Sequence, residues 1–373
     1  MYIWVMRDKG SEWQALGRFS ERGSLPFVPL IEAVREPFMP TRGRLPGDPA
    51  TVMAKLNSRV EAVAHSTRVW IDLGNLVGAF SAHDVLEMLR IVHRLDSRAA
   101  THAIPVVRAS SPPPVVEALV HVARTQRSGL CIRVDGVTHL GSKAEVVAYL
   151  ALQSGIDASE IDFVVDAQDL PRVASHDELR DTFPLFETAR TFAVVAGTFP
   201  PSITDLSPEH YVHRLERGEW GAWRQEMQQP TAWRRPAYGD FATQPAVYAP
   251  SPPFPGSPSV RYTTAEQFVV LRGRAGASGI GTDYGQFIGH ARYLRQQPFY
   301  REVVETPTDA YIERIASGEH RTGNLTTWRV ASLERHLMVV ARQVAQYTPV
   351  VPSRVERPQT RDWGRRPTGS PPR

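Results

Sequence analysis

Seven short apolar runs punctuate the chain before residue 200: "YIWVM" (2–6), "FVPLIE" (27–32), "RVWIDL" (68–73), "AIPVVR" (103–108), "GLCIRVD" (129–135), "IDFVVD" (161–166) and "TFAVVAG" (191–197). None alternates cleanly between apolar and polar positions, the pattern of parallel strands covered on both faces. Helical patterns lie between them. "GDPATVMAKLNSRVEAVAH" opens with Asp48 as N-cap and Pro49 at the first helical position, and Val52, Leu56, Val60 and Val63 follow at helical spacing. "SAHDVLEMLRIVHRL" opens at Ser81, and "SKAEVVAYLALQSG" pairs Ser142 with Glu145 as a capping box and closes on Gly155. "SEWQALGRF" and "PPVVEALVHVARTQ" complete the set.

Strict alternation of strand and helix predicts a parallel sheet with right-handed crossovers. Seven or eight such units in about 240 residues predict an α/β fold, a (β/α)8 TIM-barrel-like domain, with a doubly wound open sheet as the alternative. No Gly-rich fingerprint follows the first strand, which counts against a dinucleotide fold. Either "AYGDFATQ" (237–244) or "SVRYTT" (259–264) could supply the eighth strand. The expected organisation is a barrel over 1–245, strands and helices packed on it over 246–348, and a disordered Pro- and Arg-rich tail over 349–373. After residue 200, "LERGEWGAWRQEM" (215–227) reads as a helix with Trp220 and Trp223 on one face, and "SVRYTTAEQFVVLRG" as two strands around a turn. The final helix is apolar through Leu333, Leu337, Val340 and Val344.

Charge changes the picture at the strand ends. Glu32, Asp72, Arg108, Asp135 and Asp166 each stand at the C-terminal end of a strand, and Arg133 shares a face with Asp135. Lys9 and Glu12 follow the first strand. In a parallel barrel these ends meet on one rim, where barrel enzymes keep their chemistry. Two readings stay open. Glu32, Asp72, Asp135 and Asp166 could hold Mg²⁺ or Mn²⁺ and serve catalysis, with Lys9, Arg108 and Arg133 clamping a phosphate. Or acids and bases neutralise one another as a plug.

The 373 residues carry a net charge of +4, and the last 25 account for all of it, with six Arg against Glu356 and Asp362. The pI near 9.3 therefore describes a tail, which could also act as an arm for nucleic acid, rather than a basic fold. A single Cys131 rules out an internal disulfide, and no apolar run reaches membrane-spanning length, so a soluble cytoplasmic protein with no membrane contact is expected. Zincin, serine-hydrolase and P-loop signatures are absent from the sequence.

Several phrases in order ("DKGSEWQAL", "FVPLIE", "VAGTFPPS", "YGDF", "VRYTTAEQFVVLRG", "GNLTTWRVASLERHL") resemble the beta protein family, which takes its name from a bacteriophage protein. The resemblance covers about residues 2–346 and implies a phage-related or phage-defence setting, with a co-encoded protein partner as one expectation. Its recurring polar positions fall here on Lys9, Glu12, Glu32, Asp240, Arg261, Tyr262, Arg272, Gly323, Asn324, Trp328, Arg329 and His336. Thr198 stands where a Ser is usual, and Arg335 precedes His336 where paired His is common, which weakens a nucleophile or two-His role there. Three functions follow as expectations: binding of a phosphorylated or nucleic-acid ligand at the barrel mouth, metal-assisted phosphoester hydrolysis, or a non-catalytic partner of another subunit. Asp240, Arg261, Tyr262, Asn324, Arg329 and His336 join the candidate ligand-binding set on the resemblance.

Overall fold

The computed structural model describes residues 1–20, 27–34, 49–65, 67–77, 97–136, 140–169, 176–183, 185–203, 206, 211–229, 234–248, 256–274, 283–319 and 321–347. Eight parallel strands close a barrel: β1 (Tyr2–Arg7), β2 (Phe27–Glu32), β3 (Val69–Asp72), β4 (Ala103–Arg108), β5 (Leu130–Asp135), β6 (Ile161–Asp166), β7 (Thr191–Ala196) and, after β8 (Val212–Glu216) of a second sheet, β9 (Ala237–Asp240). β9 pairs with both β7 and β1, so "AYGD" is the eighth strand and the doubly wound sheet is excluded. Helices α1 (Gly10–Ser20), α2 (Pro49–Ala64), α3 (Ser97–His102), α4 (Pro113–Gln126), α5 (Leu140–Ser154), α6 (His176–Thr182) and α7 (Leu185–Thr188) lie between the strands. α5 begins at Leu140, ahead of the expected cap, so Ser142 lies inside its first turn. The helix expected over 81–95, the Asp48 cap and the tail over 349–373 lie outside the described residues.

The lack of alternation has its cause in burial on both faces. Ile3, Val5, Val28, Leu30, Trp70, Ile104, Val106, Cys131, Val164 and Val195 form one core inside the barrel. Tyr2, Trp4, Met6, Ile31, Ile71 and Val107 belong to the core between strands and helices. Each such side chain contributes roughly 1.5–3 kcal/mol on burial. The lumen is narrow where β9 closes it: a Cβ on Gly239 would lie 2.2 Å from Val195 Cγ1 and 3.2 Å from Ile3 Cβ. Only glycine fits there.

A three-stranded antiparallel sheet stands beside the barrel, in the order β10 (Ser259–Thr263), β11 (Gln267–Arg272), β8 (Val212–Glu216). β8 precedes the last barrel strand, so barrel and second sheet interleave along the chain. The helix expected from residue 215 splits into β8 and α8 (Gly218–Gln228), whose Trp220 and Trp223 stack at 5.5 Å in the core. Helices α9 (Gln286–Arg295), α10 (Pro307–Ser317) and α11 (Leu325–Ala345) complete this part. α11 joins the two cores. Leu333, Leu337, Val340 and Val344 pack with Leu16 and Phe19 of α1, whereas Trp328 packs with Val260 and Tyr262 of β10. Among the described residues no helix is long and apolar enough to cross a membrane.

Candidate functional site

Side-chain parity sets the barrel mouth. Lumen positions fall on alternate residues of each strand, so Arg7, Glu32, Asp72, Arg108, Arg133, Asp135 and Asp166 continue the inward-facing rows at their upper ends. Register aligns Arg7 with Glu32, Glu32 with Asp72, Arg108 with Arg133, and Asp135 with Asp166.

Arg133 is the hub. Its Nη1 donates to Glu32 Oε1 at 2.9 Å and to Asp72 Oδ2 at 2.5 Å, while Nε donates to Asp166 Oδ2 at 3.1 Å and Nη2 to the same oxygen. Asp135 lies 3.6 Å away and is the most exposed of the four acids. Arg108 Nε reaches both Asp72 oxygens at 2.9 and 3.0 Å. Arg7 Nε lies 3.3 Å from Glu32 Oε2, and its Nη2 donates to the carbonyls of Pro245 and Ala246 at 2.7 and 2.8 Å. Burial favours a neutral Asp72, but Arg108 and Arg133 outweigh it and hold the carboxyl below the usual range. Burial pushes the Asp166 carboxyl up. Phe241 and Ala246 enter the lumen core from the segment after β9 and cover the mouth.

The expected acids therefore converge as the sequence implied, but around a guanidinium. Among the described residues no group of three or more His, Cys, Asp or Glu side chains is placed to hold a metal ion. Removing one member of such a buried network typically costs about 3–5 kcal/mol, because the partners are left charged and unpaired.

Other candidates occupy different places. Asp240 has the opposite parity and faces away from the lumen. It accepts from Tyr2 (2.7 Å), Tyr238 (3.0 Å) and the Ala242 amide (3.0 Å), and lies 2.9 Å from His336 Nε2 on α11. Tyr262 donates to Asp309 Oδ1 at 2.7 Å, and Asn324 caps α11 by accepting from the Thr327 amide at 3.0 Å. Buried Arg335 donates to Asp309 and to the carbonyls of Thr263, Val304 and Glu302. Thr198 donates to Glu219 and accepts from the Gly218 amide at 3.2 Å, capping α8 from a neighbouring loop. These contacts tie elements together.

Lys9, Arg261 and Arg329 meet elsewhere. A cleft of about 510 Å³ opens between the covered mouth and the second sheet. β1 and the turn after it supply Arg7 and Lys9. The loop after β7 gives residues 200–203, and the segment after β9 gives 243–245 and Tyr248. β10 and the residues before it add Ser257, Ser259 and Arg261, and one face of α11 adds Leu325, Arg329 and Ser332. Among the described residues, no acidic side chain lines this cleft.

Arg261 is held in a fixed pose. Its guanidinium stacks on Phe199 at 4.6 Å, Nη1 donates to the Thr243 carbonyl, and its backbone amide donates to Ser332 Oγ at 3.3 Å. Among the described residues Nε and Nη2 have no acceptor, which leaves one edge of the fork open. Burial and the neighbouring Arg329 charge push the Arg261 guanidinium down to about 9, with Glu12 opposing less. Glu12 is itself buried and engaged by Gln244 at 2.7 Å and Ser11 at 2.6 Å. Arg329 is exposed and makes no ion pair among the described residues.

Sequence reasoning passed over Arg7, although the parity of β1 marks it. Tyr248 and Ser332 had no signal, since only the docking of α11 and the segment after β9 brings them to the cleft.

A closed (β/α)8 barrel with a filled mouth and a basic cleft against an appended sheet thus defines the class. Within it, the chain belongs to the family described as Beta protein, whose family model matches residues 2–342. Among curated proteins, none matches the chain.

Proposed function

We propose that the cleft binds an anionic, phosphorylated ligand, held by Arg261, Arg329 and Lys9. One observation carries the reading: a pre-positioned guanidinium fork with an open edge, in a cleft lined by cations and no described acid. The Nε–Nη2 edge of arginine matches two oxygens of a phosphate, and a fixed fork loses little freedom on binding. Arg261 is part-buried and makes no ion pair among the described residues, and an oxyanion relieves the cost of its desolvation. The phage or defence setting implied by the resemblance suits a protein that senses such a ligand in the cytoplasm, and it belongs to the same proposal.

Calorimetric titration with pyrophosphate tests it. Wild-type protein binds saturably, and Arg261→Met weakens binding at least tenfold while the melting temperature stays unchanged or rises. Equal affinity in the variant sinks the reading. The hydrolase reading needs a divalent cation among Glu32, Asp72, Asp135 and Asp166, where Arg133 now sits. Saturable Mg²⁺ or Mn²⁺ binding that disappears in Glu32→Gln/Asp166→Asn would favour it over the cleft.

A further inference from the structure

Resting on that reading, we infer that the cleft takes a terminal phosphate, the doubly charged end group of a phosphate monoester, and discriminates against the bridging phosphate of a diester. The donors gathered on one wall point to this group. Ser259 and Arg261 stand two apart on one face of β10, and Leu325, Arg329 and Ser332 share one face of α11. The two elements touch at the site itself, where the Arg261 amide donates to Ser332 Oγ at 3.3 Å. Phe199 and the Thr243 carbonyl fix the Arg261 guanidinium from the other side.

Charge gives the first argument. Arg261 and Arg329 stand near enough for the second to depress the first, and neither makes an ion pair among the described residues. No described acid lines the cleft around them. A monoester phosphate loses its second proton near pH 6 and carries close to two negative charges at neutral pH, whereas a diester carries one. Two adjacent guanidinium groups match the monoester.

The number of oxygens gives the second. Ser332 is only 4% exposed, and its Oγ already accepts from the Arg261 amide. Among the described residues its own proton has no acceptor, so it can donate into the cleft that it lines. A monoester offers three terminal oxygens: two for the Nε–Nη2 edge of Arg261, and a third for Ser332 and Arg329. A diester offers two, which the fork takes up, and sets a poorly accepting ester oxygen where the third would lie. The cleft of about 510 Å³ is far larger than a phosphate group and falls in the range of small-molecule sites. Pro200, Pro201, Ile203 and Leu325 give the remaining space an apolar lining suited to whatever carries the phosphate.

The test is calorimetric titration of the full chain with methyl phosphate, dimethyl phosphate, inorganic phosphate and pyrophosphate, the weaker ligands being read by displacement of pyrophosphate. Methyl phosphate should bind at least tenfold more tightly than dimethyl phosphate. Ser332→Ala should weaken methyl phosphate at least threefold and leave dimethyl phosphate unchanged. Arg329→Gln, at an exposed position, should also narrow the ratio and guards against a folding defect in the alanine variant. Dimethyl phosphate binding as tightly as methyl phosphate overturns the inference and leaves an anion site standing. So does a ratio that neither variant changes. Inorganic phosphate separates the sources of the group: a tighter methyl phosphate or a tighter inorganic phosphate upholds the terminal-phosphate site, the first for a carried group and the second for the free ion. Failure of pyrophosphate and every other phosphate to bind, or binding indifferent to Arg261→Met, overturns the reading on which the inference rests.

Discussion

The barrel mouth and the cleft beside it hold guanidinium groups of opposite fate. At the mouth, Arg7, Arg108 and Arg133 are met by Glu32, Asp72, Asp135 and Asp166, so each charge is answered by the fold. In the cleft, Arg261 and Arg329 face each other without a carboxylate among the described lining residues. Arg7 touches both regions. Matched charges under a cover stabilise a structure, whereas an oriented and unanswered cation at an opening is a group awaiting a partner. Position on the rim of a barrel is therefore not what separates site from scaffold here. The balance of charge around each group is.

The largest effect should come from the mouth. Arg133→Met leaves Glu32, Asp72 and Asp166 buried without their shared cation and should lower stability by about 3–5 kcal/mol in urea unfolding. A loss under about 1 kcal/mol would show that the acids relax into solvent and would weaken the scaffold reading.

Acid offers a second probe, in the core of the appended part. His290 of α9 is fully buried. Its Nε2 lies 3.1 Å from the Pro258 carbonyl, which can only accept, so Nδ1 accepts from the Tyr211 hydroxyl. Burial pushes His290 down to about 4. The unfolded chain takes up this proton first, near pH 6.5, so the contribution is complete above that pH and is lost as pH falls toward 4. The loss is on the order of 3 kcal/mol at full titration. Asp166, raised by burial, works in the opposite direction. The difference between wild type and His290→Gln in urea midpoints at pH 7 and pH 4.5 isolates the histidine, and equal pH slopes would refute the assignment.

Asn324→Ala should cost about 1 kcal/mol through loss of the α11 cap. Its pyrophosphate affinity should match wild type, and a tenfold loss would move Asn324 from cap to ligand contact. The smallest change in stability is expected from Arg261→Met, within about 1 kcal/mol of wild type or slightly positive, since it removes a desolvated charge that makes no ion pair among the described residues. A loss as large as that of Arg133→Met would erase the contrast between the two regions.

Much of the barrel could be read from its strands. Seven runs with both faces apolar admit few arrangements, and the charged strand ends had to meet on one rim. What the sequence could not give was the partner of each charge. Arg133 reaches Glu32 across 101 positions of chain, and nothing local in "GLCIRVD" says that three acids converge on it. Parity offered more than was taken from it: Asp240 lies one step out of the lumen row occupied by Gly239, which already directs it toward α11. The cleft was half visible. Arg261 and Arg329 were picked out through the family resemblance, but their pairing depends on α11 lying across β10, a tertiary event with no short-range signature.

The seam of the barrel has a consequence for how the protein is made. β1 finds β2 soon after synthesis, but its other edge waits for β9. At about 5–20 residues per second, the intervening ~230 residues keep that edge open for roughly 10–50 s. Throughout that interval a largely apolar strand keeps one edge unpaired on the nascent chain, the kind of edge that invites chaperones or wrong partners. The same helix that builds the cleft, α11, emerges later still and packs against α1. The first and last parts of the fold are thus locked to each other, and a ribosome that stops early releases a barrel that cannot shut.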